Sequence, residues 1–212
     1  MERILNGMRH AEIHDPATYA EKRIAVIGVG TIGSHLAHTL ARMQVPCTLY
    51  DDDDIEPHNL ATQTYGANDI GRSKVNTVLD QLRTFGSDVE HRGFVAKYEM
   101  QEPADIVVSA VDSLKARADI AKQLMAAGYV GPIVDGRVGR EQVEVYTFGD
   151  ATAWLAQLPE EGDEDPCGAR FTAYTANVAA GLMANNIKRL LMGQKAPGRI
   201  IYDAASSIFI KE

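Results

Sequence analysis

The sequence predicts an open α/β sheet of Rossmann-like type, mostly parallel, with antiparallel strands near the C-terminal end. Short apolar runs alternate with helical patterns along most of the chain. The first run leads into a glycine-rich turn that opens a helix, and two short strands close the chain. Residues 23–28 (RIAVIG) suit a buried parallel strand. From Thr31 to Met43, Ile32, Leu36, Leu40 and Met43 recur at helical spacing. Residues 45–51 (VPCTLYD) read as the second strand, with Pro46 tolerated only near its start. Val75, Val78, Leu79, Leu82 and Phe85 mark the apolar face of a helix between Gly71 and Gly86. Strands are expected at 89–95, 105–111, 130–135 and 142–148, with a helix at about 114–127. Residues 150–171 read as a long acidic crossover loop, followed by a helix at 172–192 and strands at 199–203 and 207–210.

Composition narrows the function classes. The 212 residues are 45% hydrophobic and 24% charged, as in soluble globular proteins. One domain over 1–212 is expected, with an N-terminal helical segment at about 1–20. The net charge of −8 comes from 21 basic and 29 acidic residues. Residues 51–56 (DDDDIE) and 160–165 (EEGDED) hold five acids each, so the remainder carries 19 acids against 21 bases. The acidity is local, and neither nucleic acid nor membrane is expected as a partner. No apolar run approaches the ~20 residues of a membrane span, and no secretory signal is evident, so a cytoplasmic protein is expected. Two cysteines, Cys47 and Cys167, are too few for paired CxxC motifs, and no zinc is expected.

Gly28-Val29-Gly30-Thr31-Ile32-Gly33 is a G-x-G-x-x-G between a strand and a helix. Its glycines permit a tight turn and close approach of the backbone to a phosphate, and the helix N-terminus favours the anion. Asp51, 18 residues after Gly33 at the end of the second strand, is placed to bind a ribose hydroxyl. Both features serve NAD and ATP equally. Asp53 shares a side of the extended segment with Asp51 and is a weaker candidate for magnesium, while Asp52 and Asp54 face solvent. His35 and His38 lack a third matched ligand and read as surface or groove residues.

The stretch Asp51-x-Asp53-x-Ile55, Asn59-Leu60-x-x-Gln63 and Gly71-Arg72-Ser73-Lys74, with Ser109-Ala110-Val111-Asp112-Ser113 and Arg117 later, resembles the ThiF/MoeB/HesA family of ubiquitin-activating-type adenylyltransferases. The resemblance runs from about residue 20 to 192. It implies an enzyme that binds ATP and magnesium and adenylates the C-terminal carboxylate of a small ubiquitin-like or sulfur-carrier protein or peptide, releasing pyrophosphate. It also implies a homodimer. Carried over residue by residue, Gly28, Gly30 and Gly33 would shape the phosphate loop and Asp51 would hold the ribose. Asn59 and Gln63 would line the ATP pocket, Lys74 would contact phosphate oxygens and Asp112 would hold magnesium. Positive charge and a metal suit attack by a carboxylate on an anionic phosphorus. No general base is needed, because the carboxylate is already ionised near neutral pH.

The chain departs from the family pattern in several places, among them the N-terminal segment, which lacks the R-Q signature. Thr62 stands where the family has arginine, with Arg72 as a substitute cation, and Thr31 stands where the family usually has glycine. Arg9 or Arg3 would supply an arginine across a dimer. Cys167 matches the place where some members form a covalent link to the activated partner. Five nearby acids would raise its thiol pKa, while Arg170 and the following helix would lower it. Bland roles compete throughout: Lys74 as a solvated side chain, Asp112 as a helix cap, Asn59 and Gln63 as loop hydrogen-bonders, Arg117 as an ion-pair partner, Cys47 as core. An NAD-dependent oxidoreductase and a catalytically degenerate nucleotide-binding scaffold are the alternative functions.

Overall fold

The computed structural model describes residues 13, 15–85, 89–159 and 172–212. β1 (Ile24–Ile27), β2 (Cys47–Tyr50) and β4 (Ile106–Ser109) are buried at every position, as expected of parallel strands covered on both faces. With β3 (Arg92–Phe94), β5 (Ile133–Gly139), β6 (Gln142–Phe148), β7 (Arg199–Asp203) and β8 (Ile208–Lys211) they form one eight-stranded sheet, ordered β3-β2-β1-β4-β5-β6-β7-β8. The first five strands in that order are parallel and the rest antiparallel.

Helices α1 (Thr31–Arg42), α2 (Lys74–Arg83) and α5 (Ala173–Leu191) pack on one face, against Val26, Leu49, Val108 and Val145. Ala176, Ala180 and Ala184 are buried there, and α5 lies against α1, β5 and β6. Helices α3 (Leu114–Ala126) and α4 (Ala151–Leu155) cover the other face, around Ile27, Val107, Ile133 and the fully buried Trp154. Among the described residues no helix is long and apolar enough to cross a membrane.

Two expectations are corrected. The acidic loop begins with helix α4, because Asp150 caps it, accepting the Ala153 amide at 2.8 Å, and Trp154 anchors it in the core. β5 does not stop at residue 135 but continues to Gly139 as half of a ladder with β6. Of the expected N-terminal helical segment, the described part is a 3-10 turn at Pro16–Tyr19; residues 1–12, with Arg3 and Arg9, lie outside the described residues. So do 160–171, with Cys167 and Arg170.

Candidate functional site

Strand order reverses direction between β1 and β4, which opens a crevice at their C-terminal ends. A cleft of about 1000 Å³ lies there. The glycine loop forms one wall, and its glycines have different reasons. Gly28 has φ +88°, and a Cβ there would come 2.8 Å from the Ala110 carbonyl oxygen; at Gly33 a Cβ would stand 1.9 Å from the Gly28 carbonyl oxygen. Those two are demanded by the fold. At Gly30 the nearest atom is Gln63 Nε2 at 3.8 Å, so the missing side chain leaves space on the cleft. No side chain caps α1 at Gly30, and its first-turn amides are available to an anion.

Asp51 anchors this loop. Its Oδ2 accepts the Val29 amide at 2.7 Å and its Oδ1 accepts the Asp53 amide at 2.9 Å. Burial raises its pKa above the ordinary carboxylate value, outweighing the opposing pull of Lys74 and the two amides. Backbone pairing of residues 53–55 with 71–74 brings Lys74 alongside: the Ile55 amide bonds to Arg72 O, and the Lys74 amide to Asp53 O. Lys74 then opens α2, which Ser73 caps. Its Nζ donates to Asp53 Oδ2 at 2.6 Å and lies 4.0 Å from Asp51 Oδ1. Lys74 is buried, not a solvated side chain.

Asn59 and Gln63 come from a 3-10 turn at Pro57–Ala61 and the segment after it. Asn59 Oδ1 accepts the Glu56 amide at 2.8 Å, while Gln63 Oε1 is buried with no hydrogen-bond partner among the described residues. Thr31 and Thr62, two of the departures from the family pattern, meet with their hydroxyls 3.3 Å apart. The Thr62 carbonyl faces His35 Nε2 at 3.1 Å. His38 is bound to Gln81 and held edge-on to Phe85.

Asp112 follows β4 and lines the cleft. The cap of α3 is Ser113, which accepts the Ala116 amide, so Asp112 is not used as a cap. It is exposed, and no described residue pairs with its carboxylate. Gly28, Gly30, Asp51, Asp53, Asn59, Gln63, Lys74 and Asp112 thus line one cleft, with Gly33 behind the loop. Arg72 does not line it: its guanidinium binds Asp69 at 3.1 Å and Asp80 at 2.7 Å. Arg117 is fully buried and ion-paired to Asp135 at 2.9 Å. Cys47 is a core residue of β2.

The sequence reading missed Lys97, Lys115 and Arg137, which also line the cleft. Arg137 went unnoticed because the strand was ended at Asp135. The alternation Val134, Gly136, Val138 continues one face of the strand past that point.

A family model described as "ThiF family" matches residues 9–209. The "ATP-dependent ubiquitin transferase-like protein Cap2" of Vibrio cholerae serotype O1 is 31% identical over 122 residues, covering 53% of this chain and 20% of that protein. The "Ubiquitin-like modifier-activating enzyme 5" of Caenorhabditis briggsae is 26% identical over 246 aligned residues, covering 99% and 56%. The solved structure of E. coli MccB with ATP is similar in fold at a TM-score of 0.74 and 19% identity, covering 93% of this chain and 65% of that one. The chain therefore spans between a fifth and just over half of these curated relatives' length.

Proposed function

Because the chain belongs to the ThiF family, we propose that it is an ATP-dependent adenylyltransferase that activates the C-terminal carboxylate of a small ubiquitin-like or sulfur-carrier protein or peptide. The observation that carries this reading is the meeting of four features in one cleft. They are an uncapped helix start beside Gly30, a carboxylate at Asp51, an inward lysine at Lys74 and an unengaged carboxylate at Asp112. The first would receive phosphate, the second ribose, and the third phosphate oxygens. MccB, which shares the fold, has been solved with ATP, and two relatives are named as an ATP-dependent ubiquitin transferase-like protein and a ubiquitin-like modifier-activating enzyme.

Magnesium fits Asp112 better than the aspartate run. The oxygens of Asp51, Asp52 and Asp53 can cluster within 4.8 Å of one another, but two of those carboxylates are already engaged by backbone amides and Lys74. Asp112 would hold the ion, which would neutralise charge on the phosphates. Lys74 would be drawn between Asp53 and the nucleotide, and Gln63 would use its unpartnered oxygen to orient a donor on the ligand. Thr62 leaves one cation fewer than the family pattern, and Lys97 is an exposed cation on the same cleft. A homodimer and a later covalent step at Cys167 belong to the same proposal.

Calorimetric titration of the protein with Mg-ATP and, separately, NAD tests the nucleotide. Binding of Mg-ATP with one site per chain, and none of NAD, is expected. Binding of NAD alone would overturn the reading in favour of an oxidoreductase.

A further inference from the structure

We propose that Arg137 binds the acceptor's C-terminal carboxylate and sets its approach to the nucleotide, a reading that rests on the adenylation proposed above. β5 outruns its neighbour: Asp135 pairs with Ser109, the last residue of β4, and Gly136–Gly139 continue with β6 alone. Alternation along the strand places Asp135 and Arg137 on one face. Gly136 faces the other, where a Cβ would strike Met183.

Asp135 is fully buried and already crowded. Its Oδ1 accepts Arg117 Nε at 2.9 Å, and its Oδ2 receives Trp154 Nε1 at 3.2 Å and Arg137 Nε at 2.9 Å. Burial would raise its pKa, but Arg117 and Arg137 outweigh that and hold it below the ordinary value. Arg137 meets Asp135 through Oδ2 alone, with Nη2 2.8 Å from the oxygen that Nε bonds. Two guanidinium groups therefore face one carboxylate, with Arg117 and Asp135 fully buried and the Arg137 side chain 11% exposed. Glu144, opposite Arg137 on β6, is turned to Tyr146 and Gln142 and makes no ion pair with it. Arg137 Nη2 is buried and makes no hydrogen bond among the described residues, and a buried donor without a partner is costly unless a ligand supplies one. The Tyr146 ring, 4.7 Å away, steadies the guanidinium, which lines the cleft with donors to spare.

The order of strands says which anion this is. Across the cleft come Asp51 at the end of β2, the glycine loop after β1, Asp112 after β4, and then Arg137 on β5. Lys74, Asn59 and Gln63 hold the β2 side, where the leaving pyrophosphate would go. In a phosphoryl-type displacement the attacking and leaving oxygens stand in line, so the incoming carboxylate enters from the β5 side. One of its oxygens bonds to the α-phosphorus as the bond to the bridging oxygen breaks. Pyrophosphate leaves with that electron pair, and no proton moves. The remaining N–H donors of Arg137 would hold the carboxylate's second oxygen.

The test uses a random-sequence synthetic peptide library with free C-terminal carboxylates, and the same library amidated, to drive pyrophosphate exchange into ATP. Wild type, Arg137→Gln and Arg137→Lys are compared, with Mg-ATP affinity measured on each preparation to show that the fold is intact. The expected result is ATP affinity within twofold of wild type, a tenfold or greater rise in the acid-library concentration giving half-maximal exchange for R137Q, and partial rescue in R137K. ATP affinity reduced fivefold or more would make Arg137 a phosphate ligand and overturn the proposal. Unchanged library dependence in R137Q would overturn it while leaving adenylation standing. A wild-type protein that binds ATP and gives no exchange with acid peptides would overturn both.

Discussion

The Asp51 carboxylate accepts the Val29 amide at 2.7 Å across 22 residues of chain, so the residue proposed to bind the ribose also holds the glycine loop in position. The two amides sit on different oxygens, so an asparagine there sets its NH2 against one of them and leaves that donor unpaired, which costs about 1–3 kcal/mol. Asp51→Asn is therefore expected to lower the urea midpoint as well as nucleotide affinity. Loss of affinity at unchanged stability would contradict the anchoring role.

The two reasons for glycine in the loop are separable. In Gly33→Ala the new Cβ meets the Gly28 carbonyl oxygen at 1.9 Å, an overpacking against backbone expected to destabilise on the order of 3 kcal/mol. Gly30→Ala meets nothing closer than 3.8 Å and should melt near wild type while binding Mg-ATP at least tenfold more weakly. Paired melting curves and titrations check this; equal destabilisation by both substitutions would contradict it.

The sheet and the β1–β2 side of the cleft were legible in the sequence because each rests on local signals. Runs such as IAVI and IVVS are buried at every position, and the glycine loop, Asp51 and Lys74 sit beside strand ends that those runs define. Helix α4 was less legible: five residues are too few for periodicity, and its evidence is one cap at Asp150 and one anchor at Trp154. The β5 side was hidden for a different reason. Asp135 is wholly buried, yet a buried acid looks like a surface residue until Arg117, 18 residues earlier, and Arg137 are seen to close on it. The fate of Arg72 was similarly non-local, since Asp69 and Asp80 claim its guanidinium from the turn before α2 and from the helix itself.

Burial holds the His91 imidazole neutral down to about 4, against an ordinary 6.5. The unfolded chain takes up a proton near 6.5 that the folded chain refuses until about 4. Stability is then complete above pH 6.5 and declines as pH falls through that window. His91→Gln should flatten the decline in urea midpoint between pH 7 and 5, with His38, also lowered by burial, accounting for part of what is left. An unaltered slope would contradict the assignment.

Burial pushes the Cys47 thiol up to about 12, and the imidazole 3.3 Å from its sulfur is the same neutral His91. A thiol in that state is inert. In a Cys167→Ser background, Ellman's reagent is expected to label nothing within minutes in buffer and one thiol per chain in urea. Fast labelling of the native protein would contradict the buried assignment.

Asp112 carries the chemistry in this account and no part of the fold, because Ser113 caps α3 in its stead. Pyrophosphate exchange into ATP, driven by peptides with free carboxylates, measures that directly. The wild-type protein should exchange with acid peptides and not with their amides, and Asp112→Ala should lose about 100-fold or more of the rate at an unchanged melting temperature. Exchange equal in wild type and D112A, or none with any acid peptide from a protein that binds Mg-ATP, would contradict it.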